Sequence, residues 1–188
     1  MKGIIVTGSP GAGKTTLLAA ADLKGCKLVN VGNLMKDFAV KLGYVKDRDE
    51  IRKLDKEKID RLREEAFAAI GRMEGKLVID THATVESEGK FLTGLPFSII
   101  GSAKWLKAIV YIDAGSDEIL LRRALDTNRH RENDGKEMLD VQRDINIATL
   151  SFYSSYLNIS LYLIRNRQGM LIESSSAFNK VLEEIFRD

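Results

Sequence analysis

The chain has 188 residues, of which 44% are hydrophobic, 30% charged and 7% aromatic, a composition typical of a globular domain rather than a disordered one. This length predicts one compact domain, 1–188, with small inserted segments. The formal net charge of +2 gives no basis for nucleic-acid binding or for a role at a membrane surface.

The single cysteine, Cys26, rules out an internal disulfide and a cysteine-rich zinc site, and it is consistent with a reducing compartment. The sequence contains no run of about 18 or more apolar residues, and Met1 and Lys2 lead directly into a predicted strand. We therefore expect no membrane span, no signal peptide and a cytoplasmic location.

Short apolar runs rich in β-branched residues alternate with longer segments of helical periodicity along the chain. The predicted strands cover residues 3–7, 27–31, 76–80, 108–113 and 161–164. These runs are continuously apolar, as expected for a parallel sheet with helices on both faces. The pattern predicts an α/β protein, a three-layer sandwich around a five-stranded parallel sheet.

Two segments interrupt this alternation. Between the second and third predicted strands lie 44 residues with helix-spaced apolar side chains from Ile51 to Ile70 and a turn near Gly43. After the fourth strand, a helix over residues 117–126 is predicted to run into a polar, arginine-bearing loop over 127–135, before another helix near Lys136. We interpret the first segment as a helical insertion and the second as a short lid.

The most informative motif is GSPGAGKT at residues 8–15, which matches the phosphate-binding pattern GxxxxGK[ST]. It directly follows a predicted strand and precedes a helical run over residues 16–21, the context that the pattern requires. Its glycines let backbone N–H groups surround a phosphate, Lys14 reaches the β- and γ-phosphates of ATP, and the Thr15 hydroxyl can bind Mg²⁺. The predicted ATP-binding residues of the loop are Gly8, Ser9, Pro10, Gly11, Ala12, Gly13, Lys14, Thr15 and Thr16.

Asp80 is the second residue that we assign to magnesium. It ends the third strand, at the carboxyl edge where open α/β sheets bind ligands, and a carboxylate there can hold the water shell of the ion. The alternative is an aspartate that only caps the next element. His82, two residues later, either orients the substrate or is an ordinary structural histidine.

Phosphoryl transfer needs positive charge around the migrating oxygens, and arginines on a mobile loop supply it. Arg122, Arg129 and Arg131 span a helix end and the lid, so one guanidinium can stack on a base while two clamp phosphates. We assign Arg122 to ATP binding, and Arg129 and Arg131 to catalysis together with Lys14. The alternative is a solvated polar loop.

The helical insertion carries Arg48 and Arg52, which are four residues apart and share one helix face. Paired guanidinium groups of this kind can grip the phosphate of an acceptor nucleotide. The alternative, left open by the spacing, is a solvated helix with ion pairs such as Asp49 with Lys53.

Together these residues resemble the archaeal-type adenylate kinases, which are nucleoside monophosphate kinases with a P-loop and a short lid. The resemblance spans the whole chain and is carried by VTGSPGAGKTT (6–16), KLGYVKDRDEIRKL (41–54), IDTHA (79–83), LTGLP (92–96) and the lid (122–131). It implies the P-loop kinase fold with strand order 2-3-1-4-5, an AMP-binding insertion over 33–72 and a lid over 127–137. It also implies Mg²⁺-dependent conversion of ATP and AMP into two ADP.

The chain departs from bacterial adenylate kinases, which continue their third strand with Asp-Gly-Phe-Pro-Arg. Here the strand continues as DTH (80–82), so the acceptor-phosphate arginine of that motif has no counterpart. The resemblance then assigns AMP to Arg48 and Arg52 with Lys36 in support, and it offers Arg143 as the catalytic arginine after the lid. A lid zinc, as in some relatives, is impossible with one cysteine. Members of the archaeal branch can be trimers, so a homotrimer is one expectation.

Two other hypotheses stay open. A P-loop kinase for CMP, UMP or another metabolite has the same loop, because base identity is often read by backbone groups. A GTPase-type switch or a regulatory module binds nucleotide without an acceptor. The sequence contains no guanine-reading Asn-Lys-x-Asp motif, and its DLKG segment (22–25) lies too close to the P-loop to be a switch.

Overall fold

A computed structural model describes residues 1–45, 51, 54–87, 89–125 and 135–187 of the chain. The strands are β1 (Lys2–Thr7), β2 (Lys27–Asn30), β3 (Lys76–Asp80), β4 (Thr84–Ser87), β5 (Lys90–Thr93), β6 (Leu106–Asp113) and β7 (Ser160–Arg165). The helices are α1 (Lys14–Ala20), α2 (Val31–Lys41), α3 (Lys56–Gly71), α4 (Phe97–Ile100), α5 (Ser116–Leu125), α6 (Lys136–Leu157) and α7 (Leu171–Phe186).

Five of the strands form one parallel sheet in the order β2-β3-β1-β6-β7. Strand β1 lies at the centre, with Ile5 opposite Ile79 of β3 on one side and Ile109 of β6 on the other. The predicted order 2-3-1-4-5 is confirmed, because β6 and β7 are the fourth and fifth strands of this sheet. All five carboxyl ends meet at one edge, and the P-loop follows β1 at that edge.

Helices cover both faces of the sheet, as the three-layer prediction requires. Side chains alternate between the faces along each strand, so Ile5 and Ile79 pack with Phe67 of α3 and Leu150 of α6. The opposite face packs against α1 and α7, and its buried residues include Ile4, Val78, Leu17 and Phe178. Among the described residues, none of the helices has the length and apolar character to cross a membrane.

The segment between β2 and β3 contains the two helices α2 and α3, which pack against each other. Ala39, Val45 and Leu62 form the buried contact between them. Gly43, just after α2, has a φ of 70°, a left-handed conformation that favours glycine. The predicted turn near this glycine is therefore present, and the helical periodicity of the segment corresponds to real helices.

Described helices lie on both sides of the predicted lid. The helix predicted over 117–126 is α5, which spans Ser116–Leu125. The helix predicted near Lys136 is α6, which begins at that residue. Residues 126–134, which make up most of the predicted lid, lie outside the described residues.

Strands β4 and β5 form a separate antiparallel hairpin that the apolar pattern does not predict. Each has only four residues, and the opposed Val85 and Leu92 are both exposed, so no buried alternation marks them as strands. Gly94, after β5, passes so close to the His82 carbonyl that a Cβ would collide with it. The hairpin is thereby set beside the carboxyl end of β3.

Candidate active site

The loop between β1 and α1 has the backbone shape of a phosphate-binding loop. Gly11 and Gly13 have φ angles of 99° and 85°, left-handed conformations that side chains other than glycine rarely adopt. Gly8 lies against β6, where a Cβ would be 2.5 Å from the carbonyl oxygen of Ile112. The geometry therefore requires glycine at all three positions.

Helix α1 begins directly behind this loop, and its N-terminus has no side-chain cap and no acidic residue in its first turn. Its first N–H groups and its partial positive charge therefore stay available to an anion. Thr15 and Thr16 of this turn are exposed, which leaves their hydroxyl groups accessible to a ligand. Loop and helix end together can bind a phosphate group.

Lys14 and Asp80 form a buried ion pair beside the loop, with 2.7 Å between Lys14 Nζ and Asp80 Oδ1. Their side chains are only 9% and 10% exposed, so either charge would be costly without the other. Asn30, at the end of β2, donates from Nδ2 to the second Asp80 oxygen over 2.7 Å. The structure thus brings a P-loop lysine and a strand-end carboxylate into direct contact.

Arg122 of α5 holds the P-loop from its outer side. Its Nη1 donates to the Ala12 carbonyl over 3.1 Å, and its Nη2 donates to the Asn166 carbonyl over 2.7 Å. Asn166 in turn donates from Nδ2 to the Ala12 carbonyl over 2.8 Å. Arg123, the next residue, donates to the Pro10 carbonyl over 3.0 Å. The structure places Arg122 at the P-loop, while its stacking on a base stays a prediction.

Arg143 of α6 reaches the same edge of the sheet. Its Nε and Nη2 donate to the two carboxylate oxygens of Asp113, the last residue of β6, over 2.6 and 2.9 Å. These hydrogen bonds raise the pKa of Arg143 above its ordinary value, so the guanidinium stays charged. The pair lines an open cleft of about 430 Å³, which also contains Lys136, Arg165 and Arg167.

Of the remaining predicted site residues, the structure describes only Lys36. Arg48, Arg52, Arg129 and Arg131 lie outside the described residues. Lys36 is half-buried on α2. The described ranges contain no cluster of three or more histidine, cysteine, aspartate or glutamate side chains that could hold a metal ion by themselves.

Motif reasoning missed Asn30, Arg123 and Asn166. Asn30 ends the strand next to β3 and stands opposite Asp80 in the parallel register, which is the one signal that could have found it. It also caps α2 by accepting a hydrogen bond from the Asn33 N–H over 2.9 Å. Arg123 and Asn166 approach the P-loop from distant parts of the sequence, and no local pattern marks them.

A phosphate-binding loop at the carboxyl edge of this parallel sheet, with a buried lysine–aspartate pair beside it, defines a P-loop nucleotide-binding protein. A family model described as "AAA domain" matches residues 7–140. Adenylate kinase of Methanoculleus marisnigri is 34% identical over 178 residues, covering 90% of this chain and 92% of that protein. Adenylate kinase of Pyrococcus abyssi is 36% identical over 185 residues, covering 96% and 93%. The chain belongs to the archaeal adenylate kinase family.

Solved structures of more distant proteins share the fold. Shikimate kinase from Bacteroides thetaiotaomicron superposes with a TM-score of 0.61 at 15% identity, over 97% of this chain and 98% of that one. Shikimate kinase from Acinetobacter baumannii gives a TM-score of 0.59 at 16% identity, over 99% and 93%. At this identity the likeness shows the P-loop kinase fold and says nothing about the acceptor.

Proposed function

We propose that this protein is an adenylate kinase that transfers the terminal phosphoryl group of ATP to AMP, reversibly, to give two ADP. The bond between the γ-phosphorus and its bridging oxygen breaks, and an oxygen of the AMP phosphate forms the new bond. The observation that carries the proposal is the identity of 34% and 36% to two archaeal adenylate kinases, over 90% and 96% of this chain. The chemistry at the P-loop is supported by the 2.7 Å contact between Lys14 and Asp80. It joins the two charges that such a reaction needs at one edge of the sheet.

Binding of ATP would place its β-phosphate in the loop of Gly8 to Gly13, against the free N–H groups of α1. Lys14 would then exchange Asp80 for the β- and γ-phosphate oxygens. This exchange keeps the buried ammonium paired throughout, but it separates the Asp80 carboxylate from Lys14. A cation bound with ATP beside Asp80 would supply the opposite charge that the carboxylate loses. Asp80 would keep its hydrogen bond from Asn30 while Lys14 moves.

The residues at the loop fit a bound magnesium ion. Thr15 offers an exposed hydroxyl oxygen and Asp80 a carboxylate, and Mg²⁺ prefers oxygen ligands and retains most of its waters. These two residues would hold the ion, Thr15 directly and Asp80 through the water shell. When bound with ATP, the ion neutralises charge on the phosphate oxygens.

We assign the acceptor side to the helical insertion over residues 33–72. Arg48 and Arg52, with Lys36 on α2, would bind the AMP phosphate. The lid over residues 127–137 would close on ATP, so that Arg129 and Arg131 add positive charge around the migrating phosphoryl group and exclude water. A homotrimer and a cytoplasmic location also stay predictions.

An assay with a panel of acceptors tests the proposed function. The protein is supplied with ATP and Mg²⁺, together with AMP, CMP, UMP, GMP or no acceptor, and ADP is measured by a coupled reaction. We expect strong stimulation by AMP and weak stimulation by the others. Preference for CMP or UMP would instead identify another nucleotide kinase, and ADP release without any acceptor would indicate an ATPase or a switch.

Replacing Arg48 by alanine tests the acceptor site. We expect the dissociation constant for AMP to rise about tenfold, because a hydrogen bond to a charged group is lost, while that for ATP changes by less than about twofold. Calorimetric titration of each nucleotide measures both values. Arg187→Ala, at the exposed C-terminal end of α7, is the control outside the site and should leave both unchanged. Equal weakening of ATP and AMP by the Arg48 change would remove Arg48 from the acceptor site.

A further inference from the structure

The Asn30 side chain contacts both the ion pair at the P-loop and the first helix of the insertion. Its Nδ2 donates to Asp80 Oδ2 over 2.7 Å. Its Oδ1 accepts from the Asn33 N–H, in the first turn of α2, over 2.9 Å. Asp80 in turn pairs with Lys14 of the P-loop. One amide group therefore connects the Lys14–Asp80 pair to the N-terminus of α2.

The two contacts use the two different ends of the Asn30 amide. A side-chain amide nitrogen can only donate a hydrogen bond, and the amide oxygen can only accept one. The Asp80 carboxylate needs a donor and the Asn33 N–H needs an acceptor, so one orientation of the amide satisfies both. Asn30 and Asp80 also stand opposite each other in the register of β2 on β3. The side chain is thus held at both ends.

Capping of α2 does not by itself require asparagine, since serine and aspartate cap helices about as well. A serine hydroxyl ends one bond short of the asparagine amide nitrogen, so it falls short of Asp80 when it takes the capping hydrogen bond. An aspartate would present a carboxylate oxygen to the Asp80 carboxylate, and the two like charges would repel each other. The contact with Asp80 is therefore what asparagine adds at this position.

Asn30 lies at the point where the insertion leaves the sheet. Strand β2 ends at this residue and α2 begins at Val31, with no loop between them. The direction of α2 is therefore set at a single junction, which the Asn30 side chain bridges. Ala39 of α2 packs with Leu62 of α3, so the two helices of the insertion form one packed unit. A rotation at the junction would change the distance between the insertion and the P-loop.

We propose that Asn30 is a positioning residue for phosphoryl transfer, which holds the acceptor insertion at a fixed distance from the Lys14–Asp80 pair. This inference rests on the proposed function. Asn30 touches neither nucleotide in this scheme and acts through Asp80 and the first turn of α2. A misplacement of about 1 Å between reacting groups can cost about 10²-fold in rate. The acceptor site lies within the insertion and moves with it, so loss of the link should lower kcat while each nucleotide still binds.

Asn30→Ser removes the contact with Asp80 and keeps a capping residue. We expect kcat to fall about fivefold to tenfold, while the dissociation constants of ATP and AMP, each titrated alone by calorimetry, change by less than about twofold. Asn30→Ala should lower kcat by a similar factor, and its melting temperature should lie about 2–4 °C below that of Asn30→Ser, because the cap is lost as well.

A parental kcat in Asn30→Ser would show that Asn30 only caps α2, and it would overturn the inference. A tenfold weaker binding of AMP at parental kcat would overturn it too, because Asn30 would then act in binding rather than in alignment. A parent protein that forms no ADP with AMP would instead contradict the proposed function.

Tyr162→Phe is the control for a lost hydrogen bond to a carboxylate. The Tyr162 hydroxyl donates to Glu184 Oε1 over 2.7 Å and joins β7 to α7, outside the P-loop and the insertion. Its removal should leave kcat at the parental value. An equal loss of kcat in Tyr162→Phe and Asn30→Ser would show a general loosening of the fold, and it would overturn the assigned role of Asn30.

A double variant tests whether Asn30 acts through Asp80. Asp80→Asn breaks the same contact from the other side, because an amide nitrogen then faces Asn30 Nδ2 in place of an acceptor oxygen. In the Asp80→Asn background, Asn30→Ser should therefore change kcat by less than about twofold. If the two changes multiplied in full, Asn30 would act independently of Asp80 and the inference would fail.

Discussion

Lys14→Ala should lower kcat by at least about 10²-fold, the effect typical of removing a preorganised charge from a developing transition state. Among the described residues, Lys14 is the basic residue whose side chain contacts Asp80 beside the loop. Its loss removes positive charge from the β- and γ-phosphate oxygens and leaves the Asp80 carboxylate close to them. Binding of ATP should weaken as well, both with and without Mg²⁺. Steady-state kinetics and calorimetric titration measure these effects.

The Lys24–Asp22 pair on the surface provides the control for this variant. Lys24 Nζ lies 3.1 Å from Asp22 Oδ2, and both side chains are largely exposed. Lys24→Ala therefore removes an exposed lysine with its ion pairs to Asp22 and Glu183, beyond the C-terminal end of α1, and kcat should stay at the parental value. Near-parental turnover in Lys14→Ala, with a normal melting curve, would contradict the assigned role of Lys14.

Asp80→Asn should lower kcat about 10–100-fold and raise the Mg²⁺ concentration required for half-maximal rate, because a carboxylate that orders the water shell is lost. The side chain keeps its shape, and its one carbonyl oxygen can still accept from Lys14. Its amide nitrogen would face the Asn30 Nδ2 donor, so the hydrogen bond from Asn30 would be lost. Removal of the negative charge should leave the affinity for Mg²⁺-free ATP unchanged or slightly improved. This pattern is opposite to that of Lys14→Ala, which weakens ATP in both conditions.

A titration of Mg²⁺ at fixed ATP, together with ATP binding measured in a chelator, separates the two variants. Asp22→Asn, which alters the surface pair, should behave as the parent in both measurements. If Asp80→Asn had an unchanged Mg²⁺ requirement, Asp80 would be the ordinary capping residue that the sequence left as an alternative.

The P-loop and the main sheet could be predicted because their signals are local. A buried parallel strand appears in the sequence as a continuous apolar run. Glycine is needed at positions 11 and 13 for their positive φ angles and at position 8 for its close contact with β6. The β4–β5 hairpin could not be predicted in the same way. Its strands are held mainly by pairing with each other, and their side chains carry no buried alternation.

The support of the site could not be predicted, because it depends on contacts between distant residues. Asn30 meets Asp80 only through the register of β2 on β3. Tyr111 meets Ser9 across 102 positions of sequence. Residues of this kind have no motif of their own. The arginines at 48, 52, 129 and 131 were instead proposed from spacing and resemblance, and they lie outside the described residues.

The most direct measurement of the central claim follows the phosphoryl group itself. The protein is incubated with Mg²⁺, AMP and ATP that is radiolabelled in its terminal phosphoryl group, and the labelled products are separated by chromatography. We predict that the label appears in ADP as AMP is consumed, with two ADP formed for each ATP used. Label that accumulates as inorganic phosphate, or that remains in ATP whether or not AMP is present, would contradict phosphoryl transfer to AMP.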